Sequence, residues 1–180
     1  MKLVCVTIIL IILIFTGFIM SNKDQSYHPS EGEQLVNSLL PKAAGIIQDK
    51  YKIIPCGTGV SMPGGPIQKL ALCFSTKYPY TKEELRGLLI KSAQALLDQV
   101  HENNEIQKFI KKPPFNIKNI QIIIYNSDKN GREVYDPGIS TAEISEGTLT
   151  YQTVDSNDTF NYQNEFEESY EEALKILEGP

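Results

Sequence analysis

Ile67-Gln-Lys-Leu-Ala-Leu-Cys-Phe-Ser75, followed by Thr81-Lys-Glu-Glu-Leu-Arg-Gly-Leu-Leu-Ile90, decides the fold class. In the first part Leu70, Leu72 and Phe74 alternate with Ala71 and Cys73, so both faces are apolar or small, the pattern of a central strand. In the second part Thr81-x-x-Glu84 has the form of a capping box. Leu85, Leu88, Leu89, Ser92, Leu96 and Val100 then recur at helical spacing. A strand followed by an amphipathic helix, within a chain of mixed elements, predicts an α+β domain.

Working outward, Ser30-Glu-Gly-Glu33 is another Ser-x-x-Glu box. It opens an apolar stripe from Leu35 to Ile47, which Pro41 is expected to kink or divide, with the helix ending near Lys50. Cys56-Gly-Thr-Gly-Val-Ser-Met-Pro-Gly-Gly65 reads as a loop because of its four glycines. Ile106, Phe109 and Ile110 suggest a short turn before Pro113-Pro114. Asn119-Ile-Gln-Ile-Ile-Ile-Tyr125 is dense in β-branched residues and predicts a second core strand. Asn126 to Gly131 is its turn, Arg132 to Tyr135 a weak strand, and Thr148 to Val154 a half-exposed strand. Phe166, Tyr170, Ala173, Leu174 and Leu177 mark a C-terminal helix with an acidic outer face. The expectation is an α+β domain over residues 30–180, with one small mixed or antiparallel sheet of three or four strands against about three helices. Leu72, Phe74, Leu89, Leu96, Ile122, Ile124 and Tyr170 are expected to share its core.

Ahead of this domain, Leu3 to Met20 is an almost uninterrupted apolar run, broken only by Thr7, Thr16 and Gly17. A helix of that length, about 27 Å, just crosses a hydrocarbon core of about 30 Å. Residues 1–21 are therefore expected to form a transmembrane or signal helix, with 22–29 as a polar linker. Lys2 before the run favours an N-terminus inside the cytoplasm, leaving the domain anchored outside it or secreted. Ile19-Met-Ser21 is a poor cleavage site, and no Cys follows the run for a lipid anchor.

Charge bears on partners. The chain of 180 residues holds 17 Lys+Arg and 22 Asp+Glu, for a net charge of −5. Residues 1–112 carry 13 basic and 9 acidic side chains against 4 and 13 in 113–180. No long basic run exists, which argues against a nucleic-acid footprint. The acidic C-terminal stretch, Glu168 and Glu172 among its residues, is either a solvated helix face or a dock for a basic partner. The loop side chains Thr58, Ser61 and Met62 are the other candidate partner contacts.

Patterns for chemistry are incomplete. Cys56 and Cys73 are either a disulfide closing the glycine-rich segment or two free thiols, and no metal set is expected. Cys56 as a nucleophile, with His28 or His101 as base, has no flanking signature. The glycines open a strand rather than a helix, and the chain lacks Gly-Lys-Ser/Thr, so no cofactor loop is implied. Asn126-Ser-Asp-Lys-Asn-Gly131 resembles half a calcium loop, but Pro137 stands where the bidentate Glu belongs, which favours a hairpin turn. The function expected is a non-enzymatic module binding a protein or envelope component. The alternative is a small hydrolase or transferase with its site around Cys56 to Pro66.

The phrases Pro55-Cys-Gly-Thr-Gly-Val-Ser-Met-Pro-Gly-Gly-Pro66, Pro114-Phe-Asn-Ile-Lys-Asn-Ile120 and Gly131-Arg-Glu-Val-Tyr-Asp-Pro137 resemble uncharacterised small exported proteins of chlamydia-like intracellular bacteria. The resemblance covers roughly residues 50–178. It implies export and brings no activity or catalytic residue with it.

Overall fold

A computed structural model describes residues 27–179, so the apolar run 3–20 and the helix expected there lie outside the described residues. Among the described residues no helix is long and apolar enough to cross a membrane.

Both capping boxes form. Helix α1 (Glu31–Tyr51) opens on Ser30, whose hydroxyl accepts from the Glu33 amide while the Glu33 carboxylate accepts from the Ser30 amide at 2.7 Å. Pro41 sits on the exposed side and does not divide the helix, which ends with Lys52 in the left-handed region at φ 61. Helix α2 (Lys82–His101) opens on Thr81 in the same way, with the Thr81 amide donating to Glu84 at 2.8 Å. A four-residue α3 (Asn104–Gln107) and α4 (Tyr170–Glu178) complete the set.

The sheet has six strands, β1 (Ile54–Ser61), β2 (Lys69–Ser75), β3 (Ile120–Tyr125), β4 (Thr141–Ser145), β5 (Thr148–Asp155) and β6 (Asp158–Ser169). They lie side by side in chain order. Every neighbouring pair is antiparallel except β2 and β3, which are parallel and joined through α2. A parallel pair needs such a crossover because the chain must return to the same end before starting the second strand.

This corrects the expected sheet of three or four strands against about three helices: six strands and four helices are present among the described residues. Three segments account for the difference. The stretch read as a glycine-rich loop is mostly edge strand β1, with the turn confined to Met62–Pro66, where Gly64 and Gly65 take φ of 75 and 105. Glycine fits β1 because a Cβ at Gly59 would stand 3.3 Å from the Ala71 Cβ, and one at Gly57 would stand 3.5 Å from the Cys73 Cβ. Residues 165–169, read as the start of the final helix, are the end of strand β6 instead, and neither β4 nor the earlier part of β6 was anticipated. The weak strand at 132–135 reduces to a single bridge between Ser127 and Glu133.

The alternation along β2 and β3 buries Leu70, Leu72, Phe74, Ile120, Ile122 and Ile124 completely against the helices. Leu89 and Leu96 of α2 meet them, also fully buried, and Tyr170 packs at the margin of the same cluster. Burial at roughly 25 cal/mol per Å² of apolar surface is the main stabilising term. The intervening residues Ala71, Cys73, Gln121 and Ile123 face the other way and are only partly covered. One face of the sheet is thus layered with helices and the other is not.

Candidate functional site

The helix-free face is built from the alternate positions of the strands. Register places Gly57, Gly59, Cys73, Ser75, Ile123, Tyr125 and Glu143 on it. On the β1 and β2 side the side chains are small. Tyr125 on β3 and Tyr162 on β6 are 46% and 56% exposed, and they stand up from the surface at the end where β2 and β3 finish. Burial raises the Tyr125 phenol above its ordinary pKa, and the negative forms of Cys73, Cys56, Tyr162 and Glu143 each add to the shift. Apolar rings with hydroxyl tips beside glycine and alanine make a surface suited to contact rather than to proton transfer.

The two thiols are free and lie on adjacent strands. A register shift between Pro55 and Gly57 puts Cys56 in a bulge opposite Cys73. Burial raises the pKa of both; Cys56 is raised further by Cys73, and Cys73 by Glu143. A nucleophilic cysteine needs the opposite shift, since the thiolate is the reactive form. Nor does a base come near. His101 closes α2 at the end where β2 and β3 begin, with its Nε2 at 2.8 Å from the Phe115 carbonyl oxygen. His28 precedes α1 at that same end, whereas Cys56 lies at the other. The fold separates the proposed nucleophile from both proposed bases.

The candidate partner contacts fall into different roles. Thr58 and Ser61 are exposed on β1. Met62 is half-buried against the core, its Cε 3.1 Å from where a Cβ on Gly32 would sit. Glu172 accepts from the Ser169 amide and hydroxyl and so caps α4. Glu168 faces the helices: Arg86 Nε donates to its Oε1 at 2.8 Å and the Tyr151 hydroxyl donates to the same oxygen at 2.6 Å. Lys82 Nζ stands over the Tyr151 and Phe166 rings at 4.8 and 5.1 Å.

At the end where the strands β2 and β3 finish, Asn126 is fully buried and fully satisfied. Its Oδ1 accepts from the Tyr80 amide at 3.0 Å and from Thr76 Oγ1, and its Nδ2 donates to the carbonyls of Tyr80 and Ile139. This one side chain holds the loop before α2 to the loop before β4. Asp128, in the segment resembling half a calcium loop, spends its Oδ1 on the amides of Asn130 and Arg132, as an Asx turn does. Among the described residues no group of His, Cys, Asp and Glu could hold a metal ion.

The opposite end carries a feature that the sequence concealed. A cleft of about 620 Å³ is lined by Lys69, Lys111, Lys112 and Lys118, with Ser61, Asn119 and Glu146 among its other walls. These lysines come from β2, from the segment after α3 and from the turn before β3, so only the pair Lys111-Lys112 is visible as a basic element in the chain. An adjoining groove is lined by Ser30, Gly65, Pro66, Lys108, Phe109, Ile110 and Lys111.

No protein-family model matches the sequence, and comparisons with curated proteins and with solved structures give no match.

Proposed function

We propose that the chain is a membrane-associated, exported binding module that receives a protein partner on the helix-free face of its sheet. The observation that carries this reading is the character of that face. It presents Tyr125 beside the small residues Gly57, Gly59, Ala71 and Cys73 of β1 and β2, and Tyr162 towards the opposite edge on β6, with no helix laid over them. Tyrosine gives large contact area and a hydrogen-bonding tip at low conformational cost, which is why it recurs at protein interfaces. The apolar run 3–20 supports the membrane association, as it is long enough to cross a bilayer core.

The test is site-specific photocrosslinking of the full chain in its native membrane. A benzophenone amino acid at Tyr125 or Tyr162 is expected to give a discrete protein adduct, while the same group at Lys91 on the outer side of α2 gives none. Absence of adducts at both tyrosines, or an equal yield at Lys91, overturns the reading.

A further inference from the structure

The basic cleft departs from the charge of the chain as a whole. The protein carries −5, yet four lysines face one carboxylate here. Glu146 is engaged by Lys69, with Nζ to Oε1 at 2.6 Å. Lys111, Lys112 and Lys118 are exposed and enter no ion pair among the described residues. Of the other carboxylates at this end, Glu105 is paired with Lys108 at 2.5 Å and Glu33 is held in the cap of α1, while Glu31 and Glu102 do not line the cleft. The cleft keeps a net positive field.

Its position supplies the second observation. Ser30, where α1 begins, lines the groove that adjoins the cleft, and Lys111 belongs to both. A Cβ on Gly32 would meet Phe109 Cδ1 at 3.0 Å, and Phe109 in turn accepts the Ile67 amide at 2.7 Å on its carbonyl. The chain therefore enters the domain beside the lysines. Whatever path residues 21–26 take, they span at most about 25 Å between the apolar run and Tyr27. A bilayer holding residues 3–20 is then tethered to this end of the domain, the end opposite Tyr125.

We propose that this cleft docks on anionic lipid headgroups of the bilayer that holds the apolar run, seating lipid phosphodiesters between Lys111, Lys112 and Lys118. The proposal rests on the membrane association argued above. An ammonium is a compact point charge suited to phosphate oxygens. Tethering raises the effective concentration of headgroups at the cleft, so a site too weak to hold a free anion can be occupied there. The neighbouring tip Pro63-Gly-Gly-Pro66 is exposed and uncharged, and offers no repulsion to the same surface. Docked in this way, the domain turns its helix-free tyrosines away from the membrane.

The experiment uses the full chain reconstituted in vesicles of phosphatidylcholine with and without phosphatidylglycerol, with brief lysine acetylation read residue by residue by mass spectrometry. Lys111, Lys112 and Lys118 are expected to label several-fold more slowly only where phosphatidylglycerol is present. Molar salt should erase the difference, and Lys42 and Lys91 should label equally in both. In the variant Lys111→Gln/Lys112→Gln/Lys118→Gln, Lys69, the remaining lysine of the cleft, should label equally in both vesicle types while thermal stability is unchanged. Equal labelling in both vesicle types, with the chain still retained through a high-salt wash, overturns the docking and leaves the tether standing. Loss of the chain from both vesicle types overturns the tether and the docking together. Equal protection by added glycerol phosphate in phosphatidylcholine vesicles would make the cleft a site for soluble anions and overturn the lipid assignment.

Discussion

Arg86 on α2 and Glu168 on β6 meet at 2.8 Å with side chains only 9% and 11% exposed, so this ion pair is held almost out of water. Burial opposes the guanidinium charge, but the bond to Glu168 and its negative charge outweigh that and raise the Arg86 pKa. Removing one partner strands the other charge in the interior. Glu168→Ala is expected to cost about 3–5 kcal/mol in denaturant unfolding, and the paired replacement Arg86→Met/Glu168→Leu considerably less. If the double variant is as unstable as the single one, packing at this site rather than the stranded charge sets the loss.

Tyr151 donates to the same carboxylate, and burial first, then Glu168, drives its phenol pKa well above the ordinary value. The folded chain thus keeps a proton that the unfolded chain releases above about pH 10. The stabilisation is complete below that pH and is lost as pH rises further. Tyr151→Phe should cost about 1–2 kcal/mol at neutral pH, since Glu168 loses a donor. The gap between the two proteins should then narrow in melts taken above pH 10.

Two glycines should respond in opposite directions. Gly45 lies inside α1 with nothing within 4 Å of a built Cβ, so Gly45→Ala should stabilise by about 0.5–1 kcal/mol through lower unfolded-state entropy. Gly64 has equally open space but a φ of 75, so Gly64→Ala should cost about 1 kcal/mol in backbone strain. Chemical denaturation of both variants measures the difference directly.

The raised pKa of Cys56 and Cys73 predicts slow alkylation at neutral pH. Iodoacetamide labelling followed against pH should have its midpoint above about 8.5, the value for a free thiol. Removing the negative charge beside Cys73 with Glu143→Gln should move the Cys73 midpoint down, whereas Cys56, which takes no contribution from Glu143, should not move down with it. A midpoint at or below the free-thiol value would mean that these sulfurs are better solvated than their placement implies.

How much of this was legible depends on whether the pattern was local. The helix starts at Ser30 and Thr81 were readable because a capping box is complete within four residues. The burial of Leu72, Phe74, Ile122 and Ile124 was readable because alternation exposes it. Strand β1 was not, since glycine is a turn signal in isolation, and only Ala71 and Cys73 across the ladder show why Gly57 and Gly59 suit an extended edge. Strand β6 was missed for a related reason. Its glutamates resemble a solvated helix face, whereas pairing with β5 turns Glu168 inward to Arg86 and leaves Glu165 and Glu167 outside. The basic cleft has no sequence signature, because Lys69, Lys111 and Lys118 are brought together only by the parallel pairing of β2 with β3 and the turn that precedes it.

That the spatial order of the six strands repeats their order in the chain bears on how the protein is built. A domain delivered across a membrane with its earlier strands emerging before its later ones can add each strand to the one just before it, without threading a later strand between two already paired. The single long wait falls between β2 and β3, where some forty residues containing α2 must arrive before the parallel pair can close. Until then the β1–β2 hairpin has no core strand beside it, and α1 and α2 are the only apolar surfaces available to shelter Leu70, Leu72 and Phe74. After β3, assembly proceeds as three successive antiparallel additions, and the newest strand is always the growing edge. Vectorial synthesis or export therefore suits this topology, and the interval before Ile120 emerges is the window in which a holding chaperone would be of most use to it.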